Sequence, residues 1–174
     1  FRMRMEECMV KGNFAEATQV GVKEAATDSS LTMLRVWALS ENHMLGDRLF
    51  SYPLVGGSDA MLPNGASVKL MMADERKLYA HLGVVFIQKM RPRVYLETLH
   101  KAHRATAAAH DWLLCAYLLD RDLNQFVRHL AKYYPINEQL PKHYKEALII
   151  YKHTTSHPLI SYYNNVKEAD YDDF

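Results

Sequence analysis

Two cysteines in 174 residues, Cys8 and Cys115, are too few and too far apart for a zinc ribbon or a disulfide-dense scaffold. Both have apolar neighbours, the setting in which a free thiol behaves as a small hydrophobe. Glycine and proline are scarce, at 7 and 6 copies. With 49% hydrophobic and 24% charged residues, that excludes collagen-like, low-complexity and disordered chains. An excess of one charge is missing too: 21 Lys plus Arg stand against 20 Asp plus Glu, a net charge of +1. Phosphate-backbone binding draws on a basic surplus, so no nucleic-acid partner is expected. The longest apolar run, Leu82 to Ile87, falls far short of the roughly 20 residues that cross a bilayer. The chain opens at Phe1 with neither an initiator methionine nor a signal-peptide pattern, and is expected to be a soluble piece of a longer protein.

The residues present are those of helices. Ala, Leu, Met, Glu, Lys, Arg and Gln dominate, and no stretch alternates apolar and polar residues as a half-buried strand does. A first helix carries Met3, Met5, Cys8, Met9 and Val10 and stops at Gly12-Asn13, which tolerates a left-handed backbone. A second is expected from Phe14 to Ala26, with Ala17, Val20, Gly21 and Ala25 on one face. Thr27-Asp28-Ser29-Ser30 offers oxygens to cap a third, Ser30 to Asn42, and a short fourth follows from Leu45 to Tyr52. Pro53 to Ala66, with Gly56-Gly57, Pro63 and Asn64-Gly65, reads as a long loop at which a single domain over 1–174 could subdivide. Beyond it the periodicity predicts helices over Ser67–Leu82 and Val94–Ala109, while Gly83 to Pro92 fits no single period. Asp111 to Leu119 is apolar on nearly every side and predicts a buried helix, with Asp120-Arg121-Asp122 as its break. Leu123–Tyr134 and Pro141–Thr155 complete the series, the latter with proline in its first turn, where a missing N–H costs nothing. The acidic end, Glu168 to Phe174, reads as a terminus without structure of its own.

One phrase recurs. Gly12-Asn13-Phe14-Ala15-Glu16-Ala17 contains aromatic-x-Glu-Ala, and Tyr144-Lys145-Glu146-Ala147, followed by Tyr151, repeats it. These positions resemble the tetratricopeptide repeat, in which glycine closes the first helix, an aromatic packs between helices and alanine admits close approach of the second. Tyr133-Tyr134-Pro135 resembles the aromatic and proline that end such a repeat. Glu24 stands where the family prefers alanine, and the tryptophan-leucine-glycine signature is absent. The resemblance implies an all-α fold, antiparallel helical hairpins stacked as a short superhelix.

A second resemblance covers more of the chain. Leu45-Gly46-Asp47-Arg48-Leu49-Phe50-Ser51-Tyr52-Pro53, Tyr79-Ala80-His81-Leu82-Gly83, the stretch Ala116 to Leu123 and the stretch Leu140 to Leu148 look like blocks of an uncharacterised Bacteroidetes membrane-protein family. That family places a soluble helical region after a polytopic part, which implies a membrane-embedded parent with this region on its periplasmic side. No activity, and therefore no residue role, comes with it.

For chemistry, histidine is the richest candidate at nine copies. His100-x-x-His103 on one helix, then His110-Asp111, could offer two imidazoles and a carboxylate to a metal, with His81 as a further ligand to test. Such a set resembles that of all-helical metal-dependent phosphohydrolases of the His-Asp type. The plainer expectation is a solvated helix face with alanines beneath. Nucleophilic catalysis lacks a Gly-x-Ser-x-Gly elbow, and Gly56-Gly57-Ser58 lacks the lysine of a phosphate loop. Trp112, Tyr117, Phe126, Tyr133 and Tyr134 are expected in the core, and Arg91, Arg93, Lys101 and Arg104 on a solvated face near Glu97. The sequence therefore predicts a non-catalytic scaffold for a protein or peptide partner, without catalytic residues, metal or cofactor. The phosphohydrolase is the alternative.

Overall fold

The computed structural model describes residues 2–21, 27–64, 67–83 and 90–155. Among them are nine α-helices: α1 (Arg2–Val10), α2 (Phe14–Gln19), α3 (Ser29–Glu41), α4 (Leu45–Arg48), α5 (Glu75–Leu82), α6 (Pro92–Lys101), α7 (Ala107–Leu119), α8 (Leu123–Tyr133) and α9 (Lys142–Thr154). Two single 3₁₀ turns, Leu49–Ser51 and Gly57–Ala60, lie between α4 and α5. The described residues contain no strand, so the all-α reading holds for them.

Helix α7 sits at the centre because it has no polar face to give to water. Trp112, Leu113, Leu114, Cys115, Ala116 and Tyr117 are all fully enclosed. α3, α4, α5, α6, α8 and the second 3₁₀ turn pack around it. Helix α3 is nearly as deep, with buried side chains from Ser30 through Ser40. Successive helices also pack on one another, α1 on α2, α2 on α3, α6 on α7 and α7 on α8. In a stacked solenoid each hairpin touches only its neighbours. Here α9 additionally lies against α4, and one buried cluster runs from Met5 to Tyr151. No described helix is long and apolar enough to cross a membrane.

Several boundaries differ from the sequence expectation, each for a local reason. Helix α1 buries Met5, Cys8 and Met9 but leaves Met3 and Val10 about half exposed, so the stripe is narrower than the apolar residues suggest. It closes as predicted, with Gly12 at φ +77° and the Asn13 N–H donating to the Cys8 carbonyl at 2.8 Å. Helix α2 ends at Gln19 instead of Ala26, because Val20 is extended and Gly21 has φ +66°; residues 22–26, with Ala25, lie outside the described residues. The predicted fourth helix tightens into 3₁₀ geometry after Arg48. Within the predicted 53–66 loop, Ala60, Met61 and Leu62 are buried and belong to the core.

The largest correction concerns Ser67–Leu82, where only Glu75–Leu82 is helical. The fully buried Glu6 carboxylate accepts the backbone N–H groups of Met71, Met72 and Ala73, which removes three donors from any helix there. The Asp74 side chain then accepts from the Arg76 N–H at 2.9 Å and starts α5. The predicted helix Val94–Ala109 is likewise two pieces. α6 stops at Lys101, His103 takes φ +55°, and the Thr106 hydroxyl caps α7 by accepting from the Ala109 N–H at 3.2 Å. Asp111–Leu119 thereby becomes the body of a longer helix. Pro141 is the residue before α9, not its first turn. Residues 84–89, inside the stretch with no clear period, and the acidic end lie outside the described residues.

Gly83, the residue after α5, packs against the segment that precedes α7. Its φ is +123°, and a Cβ there would stand 2.2 Å from the Arg104 carbonyl oxygen. Gly12 is also left-handed, at φ +77°, with nothing within 4 Å of a Cβ. Gly83→Ala should therefore cost about 3 kcal/mol or more, and Gly12→Ala only about 1 kcal/mol. Urea denaturation midpoints of the two variants check this, and equal losses would contradict the tight approach at Gly83.

Candidate functional site

Three helices bring the histidines together. His100 lies on the last turn of α6, His110 on the first turns of α7 and His129 on α8. With His103, Lys101, Lys132 and Tyr133 they line a cavity of about 560 Å³. His100 Nδ1 is 2.7 Å from the Leu96 carbonyl oxygen, which can only accept, so this nitrogen carries the proton. In the neutral ring His100 Nε2 is then an acceptor, and His110 Nδ1, 2.8 Å away, donates to it. The proton order is thus fixed from the backbone outward and leaves His110 Nε2 as the acceptor end. The His110 ring stacks on Tyr133 with centroids 4.0 Å apart and planes 7° from parallel.

Burial pushes the pKa of both histidines down. For His100 the Leu96 carbonyl opposes this, while His110, His129 and Lys132 add to it; for His110 the neighbouring Asp111 opposes it. A neutral pair is consistent with that environment. One added proton can be shared by switching the tautomer of His110, whereas two would set N–H against N–H.

The sequence candidates separate here. His100 and His110 meet, and His103 lines the same cavity from its left-handed position beyond α6, so the pair His100-x-x-His103 does not share a helix. Asp111 is engaged elsewhere. Its Oδ1 accepts the hydroxyls of Tyr134 and Tyr144, each at 2.7 Å. Burial raises the Asp111 pKa, and these two hydrogen bonds and His110 act against that rise. His81 lies on α5 beside Ser40, 2.7 Å from its hydroxyl. Among the described residues no three His, Cys, Asp or Glu side chains converge as a metal site.

The repeat positions fall in α2 with the turn before it, and in α9. Ala17 and Tyr144 are fully buried, Ala147 and Tyr151 nearly so, and Phe14 is partly buried against the same core. Glu16 lies 3.9 Å from Arg4 at an exposed site, and Glu146 lies 3.2 Å from His143. Of the predicted core aromatics, Trp112, Tyr117 and Phe126 are fully enclosed. Two of the four basic residues expected on a solvated face are committed to ion pairs. Arg91 grips Asp59 at 2.9 Å, and Arg93 reaches Asp122 at 2.6 Å while lying over the Tyr117 ring. Both cysteines are buried free thiols.

Residues 76–173, more than half of the 174-residue chain, match a family described as a family of unknown function, DUF6057. The chain belongs to this family. No curated protein and no solved structure matches it. All residues that line the histidine cavity fall within the DUF6057 stretch, as do α6 to α9, whereas α1 to α4 precede it.

The two buried networks predict opposite pH slopes. The folded histidine pair binds protons less readily than the unfolded chain, whose histidines titrate near 6.5, so its stability contribution is complete above that pH and lost as pH falls below it. Asp111, with its raised pKa, loses stability as pH rises from 3.8 through its folded value. Urea unfolding across this range should show a flattened acid-side slope for His110→Phe, which keeps a ring on Tyr133. For Asp111→Asn, stability relative to wild type should improve as pH rises.

Proposed function

We propose that the chain is a scaffold that binds an acidic segment of a protein or peptide partner in the histidine-lined cavity, without catalysing a reaction there. The observation that carries this reading is the make-up of that cavity. Four histidines, Lys101 and Lys132 face about 560 Å³, and its one carboxylate, Glu97, lies 3.4 Å from Arg93. The site is therefore open to negative charge, and the parallel His110–Tyr133 stack offers a flat wall for an apolar or aromatic side chain next to it.

The proposal extends to architecture and setting. The two aromatic-x-Glu-Ala segments, Phe14–Ala17 and Tyr144–Ala147, are read as divergent tetratricopeptide-like hairpins incorporated in a helical packing centred on α7. The block resemblance to a Bacteroidetes membrane-protein family adds a membrane-embedded parent with this region on its periplasmic side. The metal-dependent phosphohydrolase is the lesser reading, since Asp111 is held by Tyr134 and Tyr144 instead of joining His100 and His110.

Titration of the ¹⁵N-labelled chain with a short glutamate-rich peptide tests the scaffold. Amide shifts should concentrate at residues 97–110 and 129–133, strengthen below the histidine range, and weaken as salt screens the charges. Lys101→Glu with Lys132→Glu should reduce affinity by about tenfold or more. Shifts elsewhere, or equal binding of a lysine-rich peptide, would overturn the reading.

A further inference from the structure

A second cluster lies outside the histidine-lined cavity and does not depend on the binding reading. Ser40 and Glu41 are the last two residues of α3, and His81 is on the last turn of α5. Ser40 Oγ is 2.7 Å from His81 Nε2, and Glu41 Oε1 is 3.4 Å from His81 Nδ1. A carboxylate beside Nδ1 favours the tautomer with the proton on that nitrogen, because the other tautomer would set two lone pairs against each other. Nε2 is then the acceptor for the Ser40 hydroxyl proton. Glu41 is itself held by the Trp37 indole N–H, which donates to Oε1 at 3.2 Å. The backbone around His81 is fixed as well: the Thr106 hydroxyl donates to its carbonyl at 2.8 Å, and the Thr106 N–H donates to the Leu82 carbonyl at 3.1 Å.

Ser40 is only 4% exposed, but it lines a cavity of about 250 Å³. Ala107 and Ala108, in the first turn of α7, form part of the same wall. Their N–H groups precede the first intrahelical bonds, and no acceptor for them occurs among the described residues. Ser40 and the backbone donors thus line one small chamber, with His81 bonded to Ser40 and Glu41 beside His81.

We propose that Ser40, His81 and Glu41 form an acyl-transfer site for a small ester. Ser40 Oγ bonds to the acyl carbon while His81 Nε2 takes the hydroxyl proton, and the charge on the former carbonyl oxygen falls to the Ala107 and Ala108 N–H groups. The C–O bond to the alcohol breaks, and the alcohol leaves with the proton from His81. Water then gives a proton to His81 and attacks the acyl carbon. The carboxylic acid departs, Ser40 recovers its proton, and the sum is ester plus water to acid plus alcohol. Glu41 acts through His81 as a positioning residue. Burial lowers the His81 pKa, His43 adds to this and Glu41 opposes it, so a neutral base is available at neutral pH.

Covalent labelling of the full chain with a small alkyl fluorophosphonate tests this, since attack expels fluoride and leaves a stable adduct. The expected result is one adduct per chain, mapped by peptide mass spectrometry to Ser40 and absent in Ser40→Ala. His81→Gln should slow labelling by roughly 10²–10⁴-fold. Glu41→Gln should retain labelling at a reduced rate with a displaced pH profile, which a merely structural carboxylate would not produce. Thermal melts identify variants that fail to fold. No adduct on the folded wild-type chain, an adduct at another residue, or undiminished labelling of folded His81→Gln would each overturn the proposal. None of these outcomes bears on peptide binding at the histidine cavity.

Discussion

The enclosure of α7 is the constraint on which the remaining structure depends. A helix with Trp112, Leu113, Leu114, Cys115, Ala116 and Tyr117 all withdrawn from water must be covered on every side. Burial of the larger side chains among them, such as Leu113 and Leu114, favours the folded chain by about 1.5–3 kcal/mol each. No single partner helix can cover a whole circumference, so α3, α4, α5, α6 and α8 converge on it. This convergence brings residues from distant parts of the chain to the N-terminal turns of α7, where both cavities lie.

The carboxylates near the two ends of α7 are met by partners from elsewhere in the chain. Asp111 accepts two tyrosine hydroxyls, from the end of α8 and from α9. Asp120, at the end of α7, accepts the Ser58 N–H at 3.0 Å and the Ser58 hydroxyl at 2.6 Å, and lies 3.5 Å from Arg93. A buried polar group left unpaired costs about 1–3 kcal/mol, so such bonds restrict how the covering helices can be arranged. Close approach does the same at Gly46, where an added Cβ would stand 2.7 Å from the Pro141 Cβ and 2.8 Å from the Tyr144 ring. The aromatic of the second repeat-like phrase thus packs against a glycine of α4.

Helix existence was largely legible in the sequence, and helix length was not. α3, α8 and α9 start beside Asp28, Asp122 and Pro141, close to where the sequence placed them, whereas the Thr106 cap of α7 fell inside a helix predicted from Val94 to Ala109. Ser67–Ala73 has residues compatible with a helix but gives three N–H groups to Glu6, more than sixty positions earlier. His103 and Arg121 adopt positive φ without being glycine, so the turns they make have no glycine signal. For the sites, the sequence singled out His100, His103, His110 and Asp111 as one group, whereas packing divides Asp111 from the imidazoles. His81 was weighed only as a metal ligand, and its pairing with Ser40 offered no signal, because nothing local to either residue marks a contact across 41 positions.

What the sequence determined by itself is helical class, the buried character of α7, the Gly12 turn and the absence of a charge surplus. Each of these rests on periodicity, capping or composition, which act within a few residues. The tertiary structure decided which histidines face one another, which carboxylate joins which partner, and where helices stop short. Those outcomes depend on burial and hydrogen bonding between segments far apart in the chain, whose cost or gain exists only once the helices have closed around α7.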